Sequence, residues 1–222
     1  ASDATVDFSD WTAELRARED ELEAQFEAQL CSDESPVDPL RFAAEIRDFV
    51  DEDTILIGDG GDIVAQASKV IPVRAPNGWM DPGPLGTLGV GMPFALAAQH
   101  SFPDRKVLII YGDGAFGLNG FEYDTAVRFG LPIVGIVGND AAWGQMLRPQ
   151  VGLYGADRKV AVDLAETRYD RVVEALGGHG EFCQRPEEIR PALERAFASG
   201  LPALVNVMIR KDEGAPKGST YV

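Results

Sequence analysis

Residues 106–140 read KVLIIYGDGAFGLNGFEYDTAVRFGLPIVGIVGND, and this stretch decides the fold. Its apolar run at 106–111 predicts a strand, the segment at 118–129 predicts a helix, and the apolar run at 133–137 predicts a second strand. A strand, a helix and a strand in this order form a right-handed βαβ unit with parallel strands. We therefore expect the carboxyl ends of both strands to face one crevice.

The alternation of helices and strands continues on both sides of this unit. Asp38, as N-cap with a proline after it, begins the first helix of the series. A Pro/Gly-rich stretch interrupts the pattern at 71–91. Further helices are predicted at 39–50, 62–70, 92–100, 167–176 and 186–199, and further strands at 54–58, 181–183 and 204–209. This order predicts an α/β fold with three layers around a mostly parallel, doubly wound sheet.

The first 37 residues differ in character from the rest. Residues 11–30 are rich in Ala, Glu, Leu and Arg, with a narrow apolar stripe typical of an amphipathic helix. A linker follows at 31–37. We predict an N-terminal helical arm with its linker at 1–37, one cofactor-binding domain at 38–210 and a C-terminal tail at 211–222.

Composition narrows the classes of function. The chain has 222 residues, 45% of them hydrophobic, and a net charge of −16, which argues against nucleic acid or an anionic membrane as partner. No apolar run approaches the roughly 20 residues of a membrane span, and the first residues lack a signal-peptide pattern. Cys31 and Cys183 lie far apart, so we expect no disulfide framework and a cytoplasmic location.

The glycine-rich turn allows two interpretations. Gly112, Gly114 and Gly117 match the G-x-G-x-x-G pattern of dinucleotide-binding folds, which would make the protein an NAD-dependent dehydrogenase. Asp113 argues against this interpretation, because a carboxylate between the first two glycines would repel a pyrophosphate bound directly to the turn. The carboxylate is compatible with a diphosphate when a cation stands between them.

Asp113 and Asp140 supply the ligands that such a cation requires. Each follows the carboxyl end of a predicted parallel strand, so both should face the same crevice. Mg²⁺ is commonly held by one or two carboxylates together with phosphate oxygens. The sequence therefore predicts a magnesium–diphosphate site, and leaves open whether Asn139 contributes to it.

These motifs resemble those of thiamine-diphosphate enzymes. Gly112-Asp113-Gly114 is followed 27 positions later by Asn139-Asp140, and the residues around both are similar to acetolactate synthase-like proteins, benzaldehyde lyase and 2-hydroxyacyl-CoA lyases. The resemblance covers residues 38–209. It implies a Mg²⁺ site formed by Asp113, Asp140 and the main-chain oxygen of Ala142. Asn is commoner than Asp at position 140, and the extra charge makes the metal more necessary.

The resemblance also implies how thiamine diphosphate is bound. The Gly86 carbonyl would accept a hydrogen bond from the aminopyrimidine, and Leu88 would be the apolar wedge that bends the cofactor. The implied cofactor-binding residues are Gly60, Gly61, Gly86, Thr87, Leu88, Gly112, Asp113, Gly114, Ala115, Asp140, Trp143 and Gly144. Trp143, Gln145 and Met146 either line the substrate pocket or begin a buried helix. Without the family, the segment 83–91 is a flexible loop before a packed helix. The backbone N–H groups at 57–62 could bind a phosphate, and Asp59 and Asp62 could equally be helix caps.

Relatives of this kind build their active site together with a pyrimidine-binding domain, which contributes an activating glutamate. The sequence contains no such domain, so no catalytic residue is assigned in this chain. The implied function is the diphosphate-binding part of a carboligase or lyase acting on C–C bonds next to a carbonyl. The expected partners are a pyrimidine-domain chain or the remainder of a longer enzyme, a homo- or hetero-oligomer (dimer or tetramer), and a small-molecule substrate. A non-catalytic cofactor-binding subunit is the alternative.

Overall fold

The computed structural model describes residues 7–211. Its strands are β1 (Ile55–Asp59), β2 (Trp79–Met80), β3 (Val107–Gly112), β4 (Val134–Asn139), β5 (His179–Cys183) and β6 (Ala203–Met208). Its α-helices are α1 (Ser9–Leu30), α2 (Pro39–Phe49), α3 (Asp62–Val70), α4 (Gly91–Ser101), α5 (Asp113–Asn119), α6 (Tyr123–Phe129), α7 (Gly144–Tyr154), α8 (Tyr169–Ala175) and α9 (Pro186–Ala198). The first six residues of the predicted arm and all but the first residue of the predicted tail lie outside the described residues.

The strands form one parallel sheet in the order β2-β1-β3-β4-β6-β5. Its central strands are buried on both faces, as their near-continuous runs of Val, Ile and Leu require. Successive side chains of β3 point to opposite faces of the sheet and pack against different helical layers. Leu108 and Ile110 pack with α2, α3 and α9, whereas Val107 and Ile109 pack with α4, α6 and α8. The predicted three-layer α/β class is confirmed.

The topology places a crevice between β1 and β3. β1 pairs with β2 on one side and β3 on the other, so the chain changes direction across the sheet at this point. The register aligns Asp59 at the end of β1 with Tyr111 near the end of β3. Ligands of open α/β sheets bind outside the carboxyl ends of the strands at such a switch point.

Three local features differ from the sequence predictions. The predicted helix at 118–129 is wrong in its extent, because the chain forms α5 from Asp113 and α6 from Tyr123, with a 3₁₀ turn at Gly120–Glu122 between them. The Phe116 ring fills the space beside Gly120, where a Cβ would lie 2.6 Å from it, and this packing accompanies the break. The short edge strand β2 was not predicted, and for α7 only its start was considered, as one of the two alternatives for Trp143, Gln145 and Met146.

α1 lies against the domain without entering its core. None of its residues is buried, and only Phe26 and Leu30, at its C-terminal end, pack against the core. Within residues 7–211 no helix combines the length and the apolar character needed to cross a membrane.

Candidate functional site

A cavity of about 540 Å³ opens at the carboxyl ends of β1, β3 and β4. It brings together all the predicted site residues except Gly86 and Thr87. Those that line it are Gly60, Gly61, Leu88, Gly112, Asp113, Gly114, Ala115, Asp140, Ala142, Trp143, Gly144, Gln145 and Met146. The sequence therefore predicted the location of the cavity, because strand ends of a parallel sheet share one edge.

Asp113 is the first residue of α5 and is almost completely buried. Its Oδ1 accepts a hydrogen bond from the Gly114 N–H at 2.7 Å, and its Oδ2 accepts one from the Ala142 N–H at 3.2 Å. Burial raises the pKa of Asp113 to about 6, although these backbone hydrogen bonds oppose the increase. The second contact ties the end of β3 to the loop after β4.

Asp140 follows β4 and faces the same cavity. Burial, and then the negative charge of Asp113, raise the pKa of Asp140 to about 7. In the described part of the chain neither Asp113 nor Asp140 forms an ion pair. A buried and a half-buried carboxylate at one cavity, one of which raises the pKa of the other, form a site that a divalent cation would stabilise.

The chemistry of these donors fits Mg²⁺ better than a softer metal. Between residues 7 and 211, no cluster of three or more His, Cys, Asp or Glu side chains could hold a metal. A metal bound to the carboxylates of Asp113 and Asp140 would therefore take its remaining ligands from carbonyl, phosphate and water oxygens. An all-oxygen shell completed by phosphates is the usual environment of Mg²⁺.

The Asn139 side chain holds the loop after β4. It donates to the Thr167 carbonyl at 3.0 Å and to Asn206 Oδ1 at 3.2 Å, and its Oδ1 accepts from the Ala141 N–H at 3.2 Å. Ala141 has a φ of +54°, a conformation that a side chain rarely adopts without such support. Because all these bonds are made within the chain, we leave Asn139 out of the proposed ligand set.

Trp143 lies over the glycine turn. A Cβ at Gly114 would lie 2.5 Å from the Trp143 ring, so glycine is required for this close packing. The backbone N–H of Trp143 donates to the Val162 carbonyl at 2.8 Å, which holds the main chain in place just before α7 begins. Trp143 therefore forms a wall of the cavity.

The other predicted pocket residues lie at its rim. Met146 and Gln145 are exposed on the first turn of α7, and the Gln145 side chain fills the space where a Cβ at Gly61 would lie. Gly86 and Thr87 are exposed and lie outside the cavity, whereas Leu88 is half-buried and lines it.

A buried ion pair in the cavity wall was missed by the sequence analysis. Asp62, at the start of α3, pairs with Arg148 of α7, which is 8% exposed. Asp62 Oδ2 and Arg148 Nε lack hydrogen-bond partners among the described residues. Sequence offered no signal for this pair, because the two residues belong to different helices that lie far apart in the chain.

Asp59 also has a role that the sequence did not specify. Its buried carboxylate accepts hydrogen bonds from the N–H groups of Gly89 and Gly91, at 2.9 and 2.7 Å. The available signal was an aspartate directly after a buried strand, which indicated a cap but not which segment it caps.

Comparisons with known proteins agree with this geometry. Residues 59–207 match the family model described as the thiamine pyrophosphate enzyme C-terminal TPP binding domain. The chain is 42% identical over 220 residues to a probable acetolactate synthase of Mycobacterium bovis. It is 43% identical over 215 residues to 2-hydroxyacyl-CoA lyase 2 of Caenorhabditis elegans.

The matches cover most of this chain but only part of its relatives. They include 99% of this chain and 40% of the M. bovis protein, and 92% of this chain and 33% of the C. elegans protein. A thiamine diphosphate-dependent 4-hydroxybenzoylformate decarboxylase of Rhodococcus jostii RHA1 has a similar structure, with a TM-score of 0.73 at 24% identity. That alignment covers 80% of this chain and 33% of the decarboxylase. It supports the fold alone.

Proposed function

The chain belongs to the thiamine pyrophosphate enzymes through their C-terminal TPP binding domain, and from this premise we propose that it holds the diphosphate of the cofactor through Mg²⁺. The observation that carries the proposal is the pair of carboxylates, the buried Asp113 and the half-buried Asp140, at the carboxyl ends of adjacent strands and at one cavity. The proposed metal ligands are these two side chains and the main-chain oxygen of Ala142. The metal would offset their mutual repulsion and the charge of the diphosphate.

The glycines of two strand ends would let the diphosphate approach the backbone. Gly60 and Gly61 follow β1, and Gly112 and Gly114 surround Asp113. A Cβ at Gly60 would lie 3.0 Å from the Gly112 nitrogen, so the two turns are already in close contact. Side chains at these positions would occupy the space that the phosphates require.

The loop at 83–90 would receive the other end of the cofactor. Leu88 is half-buried beside the cavity, and Gly86, with a φ of +62°, reverses the chain two residues earlier. We propose that the Gly86 carbonyl, Thr87 and Leu88 meet the aminopyrimidine. Trp143 and Gly144 would close the site opposite the glycine turn, with Gln145 and Met146 at the substrate side.

We propose that the complete enzyme makes or breaks C–C bonds next to a carbonyl. When bound, thiamine diphosphate supplies an electron sink for such chemistry. The residues of this chain would bind and orient the cofactor. An acetolactate synthase-like carboligase is the first choice, and the C. elegans relative favours a 2-hydroxyacyl-CoA lyase as the second.

A pyrimidine-binding domain, from another chain or from the remainder of a longer enzyme, would complete the active site. Exposed apolar side chains on the loop at 83–90 and on the segment from α5 to the following 3₁₀ turn support this part of the proposal, since Leu85 is 83% exposed, Phe121 76% and Leu118 54%. We expect this chain alone to turn over neither 2-oxoacids nor 2-hydroxyacyl-CoA. Efficient turnover by the isolated chain would contradict the need for a partner. The free thiols of Cys31 and Cys183 support a cytoplasmic location for the assembly.

Calorimetric titration with thiamine diphosphate tests the binding proposal. We expect binding in the presence of Mg²⁺ that EDTA abolishes, and no binding by Asp113→Ala. The Gly117→Ala variant is the control, because a Cβ there has no neighbour within 4 Å among the described residues. NAD binding that is indifferent to EDTA would instead support the dehydrogenase interpretation.

A further inference from the structure

Asp59 anchors the loop beside the cavity although it lies on another strand. It is fully buried at the end of β1. Its two carboxylate oxygens each accept one backbone N–H, from Gly89 at the end of the loop and from Gly91 at the start of α4. Hydrogen bonds to an ionised acceptor are roughly twice as strong as neutral ones. These bonds also lower the pKa of Asp59, against the larger effect of burial, which raises it.

A second contact holds the same point of the loop from the opposite side. The Asn119 side-chain amide, at the end of α5, donates to the Gly89 carbonyl. Gly89 has a φ of +85°, and a Cβ there would lie 3.0 Å from Asn119 Nδ2 and 3.2 Å from Leu118 Cβ. Gly89 is therefore held through both its N–H and its carbonyl, by β1 and by α5.

The contrast with the rest of the loop shows what this anchor does. Residues 85–87 are exposed, and Gly83 and Gly86 have positive φ values. The hydrogen bonds of this part are local, from the Gly83 N–H to Asp81 Oδ1 at 2.7 Å and from the Gly86 N–H to the Gly83 carbonyl at 3.1 Å. Leu88 directly precedes the anchored residue and lines the cavity. The orientation of Leu88 thus depends on the hydrogen bonds made by Gly89.

We propose that Asp59 is a positioning residue that, with Asn119, fixes Gly89 and thereby sets Leu88 and the loop at the cofactor cavity. This inference rests on the proposed function for the identity of the ligand. Although Asp59 precedes Gly60 in the chain, its side chain accepts hydrogen bonds from Gly89 and Gly91 and from none of the proposed metal ligands or diphosphate-binding glycines. A change confined to this side chain should therefore affect recognition of the aminopyrimidine end and leave diphosphate binding intact. A purely structural cap of α4 would show no such selectivity.

The test compares two ligands on the same variants. In Asp59→Asn the amide can accept only one of the two N–H groups and presents a donor to the other. We expect thiamine diphosphate with Mg²⁺ to bind about tenfold more weakly, and inorganic pyrophosphate with Mg²⁺ to change by less than about twofold. Asn119→Ala should act in the same direction with a smaller effect. Ile46→Val, in the core of α2 on the opposite face of the sheet, controls for a general loss of stability.

Hydrogen exchange of the loop amides tests the anchor without any ligand. Asp59→Asn should accelerate exchange of peptides spanning 83–91, while Ile46→Val should leave them unchanged. Unchanged exchange in Asp59→Asn would overturn the anchor. Equal weakening of both ligands, or of neither, would overturn the positioning role. A wild-type chain that binds pyrophosphate and thiamine diphosphate equally well would also overturn it, whereas one that binds neither would refute the proposed function itself.

Discussion

Replacing Asp140 by Asn should stabilise the ligand-free chain at pH 8. The pKa of Asp140 is raised from 3.8 to about 7, first by burial and then by the charge of Asp113. At 1.36 kcal/mol per pKa unit this corresponds to about 4 kcal/mol of unfavourable ionisation in the folded state. Because Asp140 retains contact with solvent, we expect about half of this, or roughly 2 kcal/mol. A backbone hydrogen bond from Ala142 and the charge of Lys211 lower the pKa of Asp140 without cancelling the increase, and an Asn side chain can still accept the backbone hydrogen bond.

The pH dependence of this gain follows from the sign of the shift. A carboxyl whose pKa is higher in the folded than in the unfolded state loses stability as the pH rises from about 4 through about 7. The advantage of Asn should therefore be largest at pH 8 and decline steadily as the pH is lowered toward 4. For a chain of this size, 2 kcal/mol corresponds to a Tm increase of roughly 4–8 °C.

Thermal and urea unfolding in EDTA at pH 8 and pH 5 measure the effect. Asp51→Asn is the matched control, because a hydrogen bond from Lys106 lowers the pKa of Asp51 and its replacement should not stabilise the chain at pH 8. A stability gain for Asp140→Asn that is the same at both pH values, or a loss at pH 8, would refute the reasoning about the carboxylate pair.

Three further predictions concern the walls of the cavity. Gly114→Ala should weaken cofactor binding in calorimetric titration at least about tenfold and change the tryptophan fluorescence, because its Cβ meets the Trp143 ring. The control Gly117→Ala should match the wild type in cofactor affinity and in fluorescence. Arg148→Met should lower the free energy of unfolding by about 3 kcal/mol in urea, because Asp62 is left buried without its partner, and adding Asp62→Leu should recover most of the loss. Calorimetry should show that affinity for thiamine diphosphate with Mg²⁺ falls as the pH drops from 8 to 5.5, because protons compete for Asp113 and Asp140. Equal affinity at both pH values would contradict a carboxylate-held metal.

The sequence was sufficient for the fold class and for the position of the carboxylate pair. Apolar strands separated by helical segments of suitable length predict a parallel sheet, and Asp113 and Asp140 meet because both follow strands of one βαβ unit. Their raised pKa values could not be predicted, since these depend on how deeply the cavity buries each group.

Contacts between distant segments explain what the sequence did not reveal. Asp59 is 30 and 32 residues from the glycines that it holds, and its pattern was equally that of a local cap. The pairing of Asp62 with Arg148 depends on how the tertiary fold brings α7 close to the start of α3. The break between α5 and α6 depends on the Phe116 ring beside Gly120, which periodicity does not encode.

Anomalous diffraction from crystals grown with Mn²⁺ and thiamine diphosphate tests the central claim most directly. Mn²⁺ replaces Mg²⁺ in oxygen-ligand sites and can be located by its anomalous signal. We predict one peak between the carboxylates of Asp113 and Asp140, roughly 2.0–2.3 Å from an oxygen of each, with the diphosphate on its other side. Diphosphate bound at the glycine turn with no metal between it and Asp113, or a metal bound elsewhere, would contradict the account.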